Sequence, residues 1–491
     1  MLAVGVDDPL LGSLTKSFPR CRTDRFNEWR LVGNKRGGVY CRLVQGCCSW
    51  ADIALEPIMI SHRSVTGRRI ASVAVALLVL AVSSHQCVAQ GTAKDKPTAK
   101  TKPAPRGKAT AAEATPGVRD YTSKNFLLHT DLKAEEAKEL LTRLETMLAG
   151  ISSYFGKPNA QVIEMNVVKD QSNWPAGSIH PDAIASIDGN AGITLSLTMS
   201  QQNGLGQKRI TAAKSIVWAV ADRGTPQHEA VHAYCHQSFG RTGPTWYAEG
   251  MAELGQYWRD KDFSVHIHEG VLQYLKSQAP KELTEITAPG QRTGDSWQNY
   301  AWRWALCHLL EFNTNYRTRF KPLGLALLND QRTSFEDVYG SMAKEISFEY
   351  DFFLRHLDQG YRVDLCSWDW KTKCTRLKGT GSAQAKIEAA RGWQASRVTV
   401  KTGDKLSYTT TGEWTLAKDG KKLTADGGVD GKGRLVGILF LDYRLSESFE
   451  LGASGEWESP GEGNLFLRCR DDWSSIGDNG GSVTVKFKVA E

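Results

Sequence analysis

At 491 residues, with 41% hydrophobic and 23% charged side chains, the chain can build two or three cored domains, which excludes a disordered or fibrous protein. The formal charge of +7 is unevenly placed: residues 1–118 hold 17 Lys/Arg and 8 Asp/Glu, and the remainder holds 44 and 46. A near-neutral folded portion gives no basis for a nucleic-acid partner.

Residues 1–58 precede a second start-like methionine, Met59, and read as a non-native or disordered extension. Residues 59–89 have the pattern of a signal peptide. Arg63, Arg68 and Arg69 precede an apolar run from Ile70 to Ser83, and Cys87-Val88-Ala89 supplies small residues before Gln90. The run is short for a membrane span, and Gln86 does not fit a lipoprotein box; a buried helix is the competing reading. Export to the periplasm, cell surface or exterior follows, with no transmembrane span in the mature chain. Five cysteines then remain: Cys235, Cys307, Cys366, Cys374 and Cys469. An oxidising compartment permits disulfides, and Cys366 and Cys374 are close enough to close a small loop. An odd count leaves a thiol over.

Residues 90–118 are rich in Lys, Ala, Thr and Pro and read as a disordered linker. Phe126-Leu127-Leu128 suggests a strand. Apolar residues at Ala137, Leu140, Leu141, Leu144, Met147, Leu148, Ile151 and Tyr154 mark one face of a helix between Leu132 and Phe155. Strands are expected around Val162–Val168 and Gly192–Leu197, and a mainly helical region from Lys214 to about Leu357. The segment 119–362 is therefore expected to be an α+β domain. A connector, 363–385, leads to residues 386–491. There, short alternating runs (Arg397–Val400, Gly437–Tyr443, Asn464–Cys469, Ser482–Val489) between Gly-rich turns suggest an all-β sandwich.

The chemistry concentrates in His228-Glu229-Ala230-Val231-His232. On a helix, positions i and i+4 share a face, so both imidazoles can meet one ion while Glu229 lies to the side, within reach of a water. Thr225 suits the N-cap of that helix and Pro226 its first turn. A catalytic zinc site needs three protein ligands and an open position, and Glu249, in Trp246-Tyr247-Ala248-Glu249-Gly250-Met251-Ala252-Glu253, can supply the third from a second helix. Cys235 and Ser238 stand where the metzincin pattern needs Gly and His. His236 lies one turn beyond the ligand pair and is read as packing or capping its helix rather than binding metal.

HEAVH followed by WYAEGMAE resembles the gluzincin branch of zinc peptidases, the peptidase MA-like superfamily, and in its local wording a poorly characterised group common in planctomycete bacteria. The similarity covers roughly residues 120–360. It implies a zincin-like fold, zinc on His228, His232 and Glu249, Glu229 as general base, and Glu253 orienting a histidine ligand. Tyr300 resembles the superfamily tyrosine that donates to the oxyanion; a plain packing role is the alternative, and His308 a second candidate donor. Aminopeptidases of this superfamily hold the free amine with a carboxylate in a Gly-Ala-Met-Glu-Asn-like stretch. Gly189-Asn190-Ala191-Gly192 has none, so an endopeptidase acting on a peptide or protein substrate is expected.

Gly392-Trp393-Gln394, Lys401-Thr402-Gly403-Asp404 and the stretch 470–482 resemble the galactose-binding bacterial lectin fold. That resemblance implies calcium at Asp471, Ser475, Asp478 and Asn479, and glycans as partners. A turn rich in Asp and Gly for conformational reasons is the alternative. Two classes of function follow: a secreted zinc-dependent hydrolase with an accessory sandwich, or a non-catalytic calcium- and carbohydrate-binding surface protein with the zincin domain as scaffold. Expressed from Met59 in a secreting bacterium, the mature chain should begin at Gln90 by N-terminal sequencing; a mature protein starting near Met1 would refute the signal reading.

Overall fold

The computed structural model describes residues 30–33, 39–42, 117–202, 208–288 and 296–490. The signal-like segment 59–89 and nearly all of the linker lie outside the described residues. Two units divide the chain, Met1–Pro105 and Arg106–Glu491. In the first, β1 (Arg30–Gly33) and β2 (Val39–Arg42) form an antiparallel pair.

The second unit opens with a five-stranded sheet of β3 (Arg119–Thr122), β4 (Phe126–Thr130), β5 (Ile163–Val168), β6 (Gly192–Gln202) and β7 (Lys208–Val220), in the order β3-β4-β5-β7-β6. The three inner strands run parallel, and the edges β3 and β6 run antiparallel to their neighbours. The crossover from β4 to β5 is α1 (Ala134–Phe155), which buries Ala137, Leu140, Leu141, Leu144, Met147 and Leu148, the face expected from their spacing. A short α2 (Pro181–Asp188) precedes β6.

One expected helix start is corrected. Residues 214–220 are the end of β7, not the opening of the helical region. Val217, Trp218, Ala219 and Val220 are all buried, because this inner strand is covered on both faces. Such a strand reads as a continuous apolar run and loses the alternation that would have revealed it.

Helices follow: α3 (Thr225–Phe239), α4 (Thr245–Gln256), α5 (Glu269–Ser277), α6 (Leu283–Ile286), α7 (Trp297–Phe312), α8 (Arg317–Leu328), α9 (Phe335–Tyr339) and α10 (Ala343–Arg355). α3 lies against β7 and β6, and α4 is packed between α3 and α7.

The C-terminal part is β-rich, with β8 (Ser382–Glu388), β9 (Gln394–Val400), β10 (Lys405–Thr415), β11 (Leu435–Leu441), β12 (Arg444–Leu445), β13 (Phe449–Glu450), β14 (Ser454–Glu458), β15 (Gly463–Cys469) and β16 (Gly480–Val489). One sheet has the order β14-β10-β16-β8 and the other β12-β11-β15-β9, with β13 beside β11. Ile387, Leu406, Val485 and Phe487 from the first meet Val398, Leu439, Leu465 and Leu467 from the second in a shared core.

The segment 363–385 does more than connect. Trp368 stacks on Phe466 with ring centroids 4.3 Å apart, and one hydrophobic core runs from the helices into Val436, Ile438 and Trp473. Buried Glu349 ties this junction together: it accepts from Asn313 Nδ2 (2.6 Å), Tyr316 Oη (2.6 Å), the Trp368 amide (2.9 Å) and Trp370 Nε1 (2.7 Å). Satisfying a buried carboxylate with several donors is what makes its burial tolerable. Cys366 and Cys374, expected as a possible bridge, are free, as are Cys235, Cys307 and Cys469. Four of the five are buried among apolar side chains, where a thiol packs as a small hydrophobe.

Burial lifts the Glu311 carboxyl to about 7, against the Tyr154 hydroxyl that donates to it at 2.6 Å. Because the folded value is raised, the stability this site contributes is complete below the unfolded value near about 4.3 and is lost as pH rises through the folded one. Glu311→Gln keeps an acceptor and removes the ionisation. It should melt about 2–4 °C above the parent at pH 8.5 and level with it at pH 4; an equal gap at both would refute the assignment.

Candidate metal centre

The site is built where α3 leaves the sheet. Asp222 Oδ1 accepts from the amides of Gly224 (2.8 Å) and Thr225 (2.6 Å), and Oδ2 from the Thr225 hydroxyl (2.7 Å). The N-cap is therefore Gly224, with Thr225 the first helical residue, a shift of one from the position its side chain suggested. The amides of Gln227 and His228, which a capping threonine would have served, donate to the Gly224 carbonyl instead, at 2.9 and 3.0 Å. Gln227, fully buried, donates to the Gly255 carbonyl at 2.6 Å and accepts from Arg143 Nε at 2.7 Å, which locks α3, α4 and α1 together. At Gly255 a Cβ would lie 2.5 Å from Val231 Cγ2, so a larger residue there would push the two helices apart.

That close approach brings three donor atoms to one point. His228 Nε2 and His232 Nε2 are 3.2 Å apart, and Glu249 Oε2 lies 3.5 Å from the first and 3.3 Å from the second. Metal–ligand bonds of about 2.0–2.1 Å at tetrahedral angles require donor atoms about 3.3 Å apart, and all three separations agree with that value. This trio is the one group of three or more His, Cys, Asp or Glu side chains among the described residues arranged to hold a metal ion. Glu253 Oε1 lies 3.2 Å from His228 Nδ1, the position from which a carboxylate orients an imidazole ligand. Burial acts to lower the His228 pKa, but the carboxylates of Glu249 and Glu253 outweigh it and hold the ring well above its ordinary value. Burial likewise acts to raise Glu249, and the two histidines prevail and lower it. Each partner thus favours the charge of the other, and a cation placed among them would take over that role.

Glu229 is buried beside the trio but outside it. Thr194 of β6 donates to its Oε2 at 2.6 Å, which fixes the carboxylate against the edge strand. At Gly192 a Cβ would come within 2.7 Å of Glu229 Cγ, so β6 can run this close to α3 only with a glycine there. Sequence reading missed Thr194. Its signal was the alternation in Gly192–Leu197, which puts every second residue of the strand on the α3 side.

Tyr300 of α7 sits against the site: its ring lies 6.0 Å from that of His228 at 28°, with the Arg303 guanidinium 5.5 Å from the tyrosine ring centre. His236 packs, as expected, between Thr198 Oγ1 (2.8 Å) and Ser215 Oγ (3.0 Å). His308 is not at the site. It is buried between the rings of Trp304 and Phe353, and desolvation drops its pKa to about 4.

The loop 471–479 of the sandwich is anchored inward through Trp473, while Asp472, Ser474, Gly477 and Asp478 remain exposed. Trp473 is buried against Phe352, His356 and Tyr361, with the Arg468 guanidinium 3.7 Å from its ring centre. Asp471 and Asn479 are buried, and Oδ2 of the first and Oδ1 of the second have no hydrogen-bond partner among the described residues. Ser475 is half-buried and Asp478 exposed. Lys432 Nζ lies 3.8 Å from Asp471 and 2.6 Å from Asp472, so an ammonium already serves this acidic loop.

No family model matches the chain, and no curated protein matches it. Among solved structures, "EclA N-terminal domain; PllA-like lectin" is similar at 18% identity over 22% of this chain and 96% of that chain, with a TM-score of 0.18. The structure of IMPa from Pseudomonas aeruginosa in complex with an O-glycopeptide is similar at 15% identity over 45% of this chain and 23% of that chain, with a TM-score of 0.15. A functionally unknown conserved protein from Bacillus anthracis str. Ames, in mutant form, matches at 12% identity over 22% of this chain and 21% of that chain, with a TM-score of 0.14. At these TM-scores none of them assigns a fold or an activity to this chain.

Elemental analysis of the purified chain should find about one divalent transition-metal ion. His232→Ala should abolish it, and Glu253→Gln should weaken the affinity about 10–100-fold while keeping the site. Stoichiometric metal after replacement of both histidines would refute the site.

Proposed function

We propose that the chain is an exported zinc-dependent hydrolase of the gluzincin type, acting as an endopeptidase with Glu229 as general base. The observation that carries this reading is the tetrahedral spacing of His228, His232 and Glu249, with a buried carboxylate held beside them by Thr194. Nitrogen and oxygen donors of this kind, three in number, are the set expected of a catalytic zinc site with one open position. When bound, zinc supplies the Lewis acidity that activates a water and polarises a carbonyl.

The remaining work falls to the chain's own groups. Glu229 accepts the proton of the attacking water and delivers it to the leaving amine. Thr194 donates to Oε2, leaving the other oxygen, Oε1, to receive that proton. Glu253 holds the His228 ring so that Nε2 faces the site. The Tyr300 hydroxyl, on a ring already stacked against His228, is the donor assigned to the oxyanion. β6 is the sheet edge beside Glu229, and its unpaired backbone groups can take an extended peptide as a further strand. The stretch Gly189–Gly192 that enters β6 has no carboxylate to capture a free amine, which supports internal cleavage.

A second reading, calcium in the sandwich with glycan binding as the function, draws support from the unpartnered buried oxygens of Asp471 and Asn479. Lys432 beside the same carboxylates weighs against it. A buried Glu229 next to a three-donor set has no use in a scaffold, so the hydrolase reading is preferred.

Zinc-loaded parent protein should cleave a fluorescence-quenched library of extended peptides. Glu229→Gln should keep its zinc and lose at least about 100-fold in kcat/KM. Equal turnover by both proteins, with zinc bound, would overturn the assignment.

A further inference from the structure

A cavity of about 390 Å³ lies between the segment 367–372 and strands β8 and β9, in elements that contribute nothing to the metal centre. Its volume is that of a site for a small molecule. Four cations line it, Lys371, Lys386, Arg391 and Arg397, against two carboxylates, Asp369 and Glu388. Neither carboxylate neutralises the arginines. Asp369 accepts from the amides of its own turn, Lys371 at 3.2 Å and Thr372 at 3.1 Å, and Glu388 lies 3.7 Å from Lys386. Among the described residues the side chains of Lys371, Arg391 and Arg397 make no ion pair or hydrogen bond.

Two further observations point the same way. Trp368 lines the cavity, and its indole Nε1 is a buried donor without a hydrogen-bond partner among the described residues. Buried N–H groups are nearly always paired, so this orphan in a lining residue is unusual. Arg397 has φ 69°, a left-handed conformation that is strained for a non-glycine residue. It sits where the pairing of β9 with β15 is irregular: Thr399 pairs with Asn464 and Ala395 with Phe466, so three residues of β9 oppose one. Bulges of this kind re-aim a side chain and recur beside sites.

We propose that this cavity binds an oxyanion carried on a molecule of monosaccharide size, with Arg391 and Arg397 pairing with its charged oxygens. The cations lining it outnumber the carboxylates by four to two, and three of the four are unpaired, so the ligand is an acceptor. Their net positive charge selects an anion over a neutral sugar. A carboxylate and a sulfate ester present the same chemistry to these groups.

The test is calorimetric titration of the full chain with glucuronate, glucose 6-sulfate, inorganic sulfate and glucose, with tryptophan fluorescence as a second readout. Glucuronate or glucose 6-sulfate should bind, with inorganic sulfate at least 10-fold weaker and glucose weaker still. Arg391→Gln and Arg397→Asn, the second chosen because asparagine tolerates the left-handed backbone, should each lower that affinity at least 10-fold. Both should keep the parent's melting temperature and metal content. Absence of binding by both anionic sugars, or undiminished binding by both variants, would overturn the proposal. Because metal content and peptide cleavage are read separately, that outcome would leave the hydrolase reading untouched.

Discussion

The candidate metal centre depends on one steric fact: α4 can approach α3 closely enough to deliver Glu249 to two histidines. Gly255 against Val231 permits the approach, and the Gln227–Gly255 hydrogen bond holds it. Once there, His228, Glu229 and Glu253 are each less than 10% exposed, a concentration of ionisable groups that an apolar interior would not accept unpaired. They are paired with one another. Glu253 faces Nδ1 of His228, Glu249 faces both Nε2 atoms, and Thr194 serves Glu229. The arrangement leaves one point, central to three donor atoms, where a metal ion could be held.

The same packing decides what can reach that point. β6 is the outer strand of its sheet and passes directly over Glu229, while α7 brings Tyr300 against His228. The site is thus bounded by a strand edge and an aromatic ring, with the helix pair as its floor.

The C-terminal sandwich is not a tethered appendage. Its Trp473 and Phe466 are buried against α10 and the segment after it, and Glu349 anchors that segment from within. The loop that a lectin-like reading would turn outward is committed to this junction through Trp473. A polar cavity is lined by residues 367–372 of the same segment, with three unpaired cations, Lys371, Arg391 and Arg397, among its walls. Where two cores merge, the fold can build a site that neither would hold alone.

The sequence by itself determined the local features whose physics is local. The 3, 4, 3 spacing in α1 could bury only one face of a helix, and His228 and His232, one turn apart, could only share a side of α3. Glu249 was legible as a third ligand on a second helix, and Glu253 only through the resemblance to the gluzincin pattern. β7 was not, because burial on both faces erases alternation, nor was the start of α3 at Gly224, where Thr225 is drawn to Asp222 instead of capping the helix. Thr194 and the inward turn of Trp473 depend on partners 35 and more than 100 residues away. The tertiary structure alone decided those contacts, along with the 3.2–3.5 Å convergence of three donors and the cationic cavity at the junction. Contacts between elements distant in the chain are set by how whole faces pack, and no spacing within a single element carries that information.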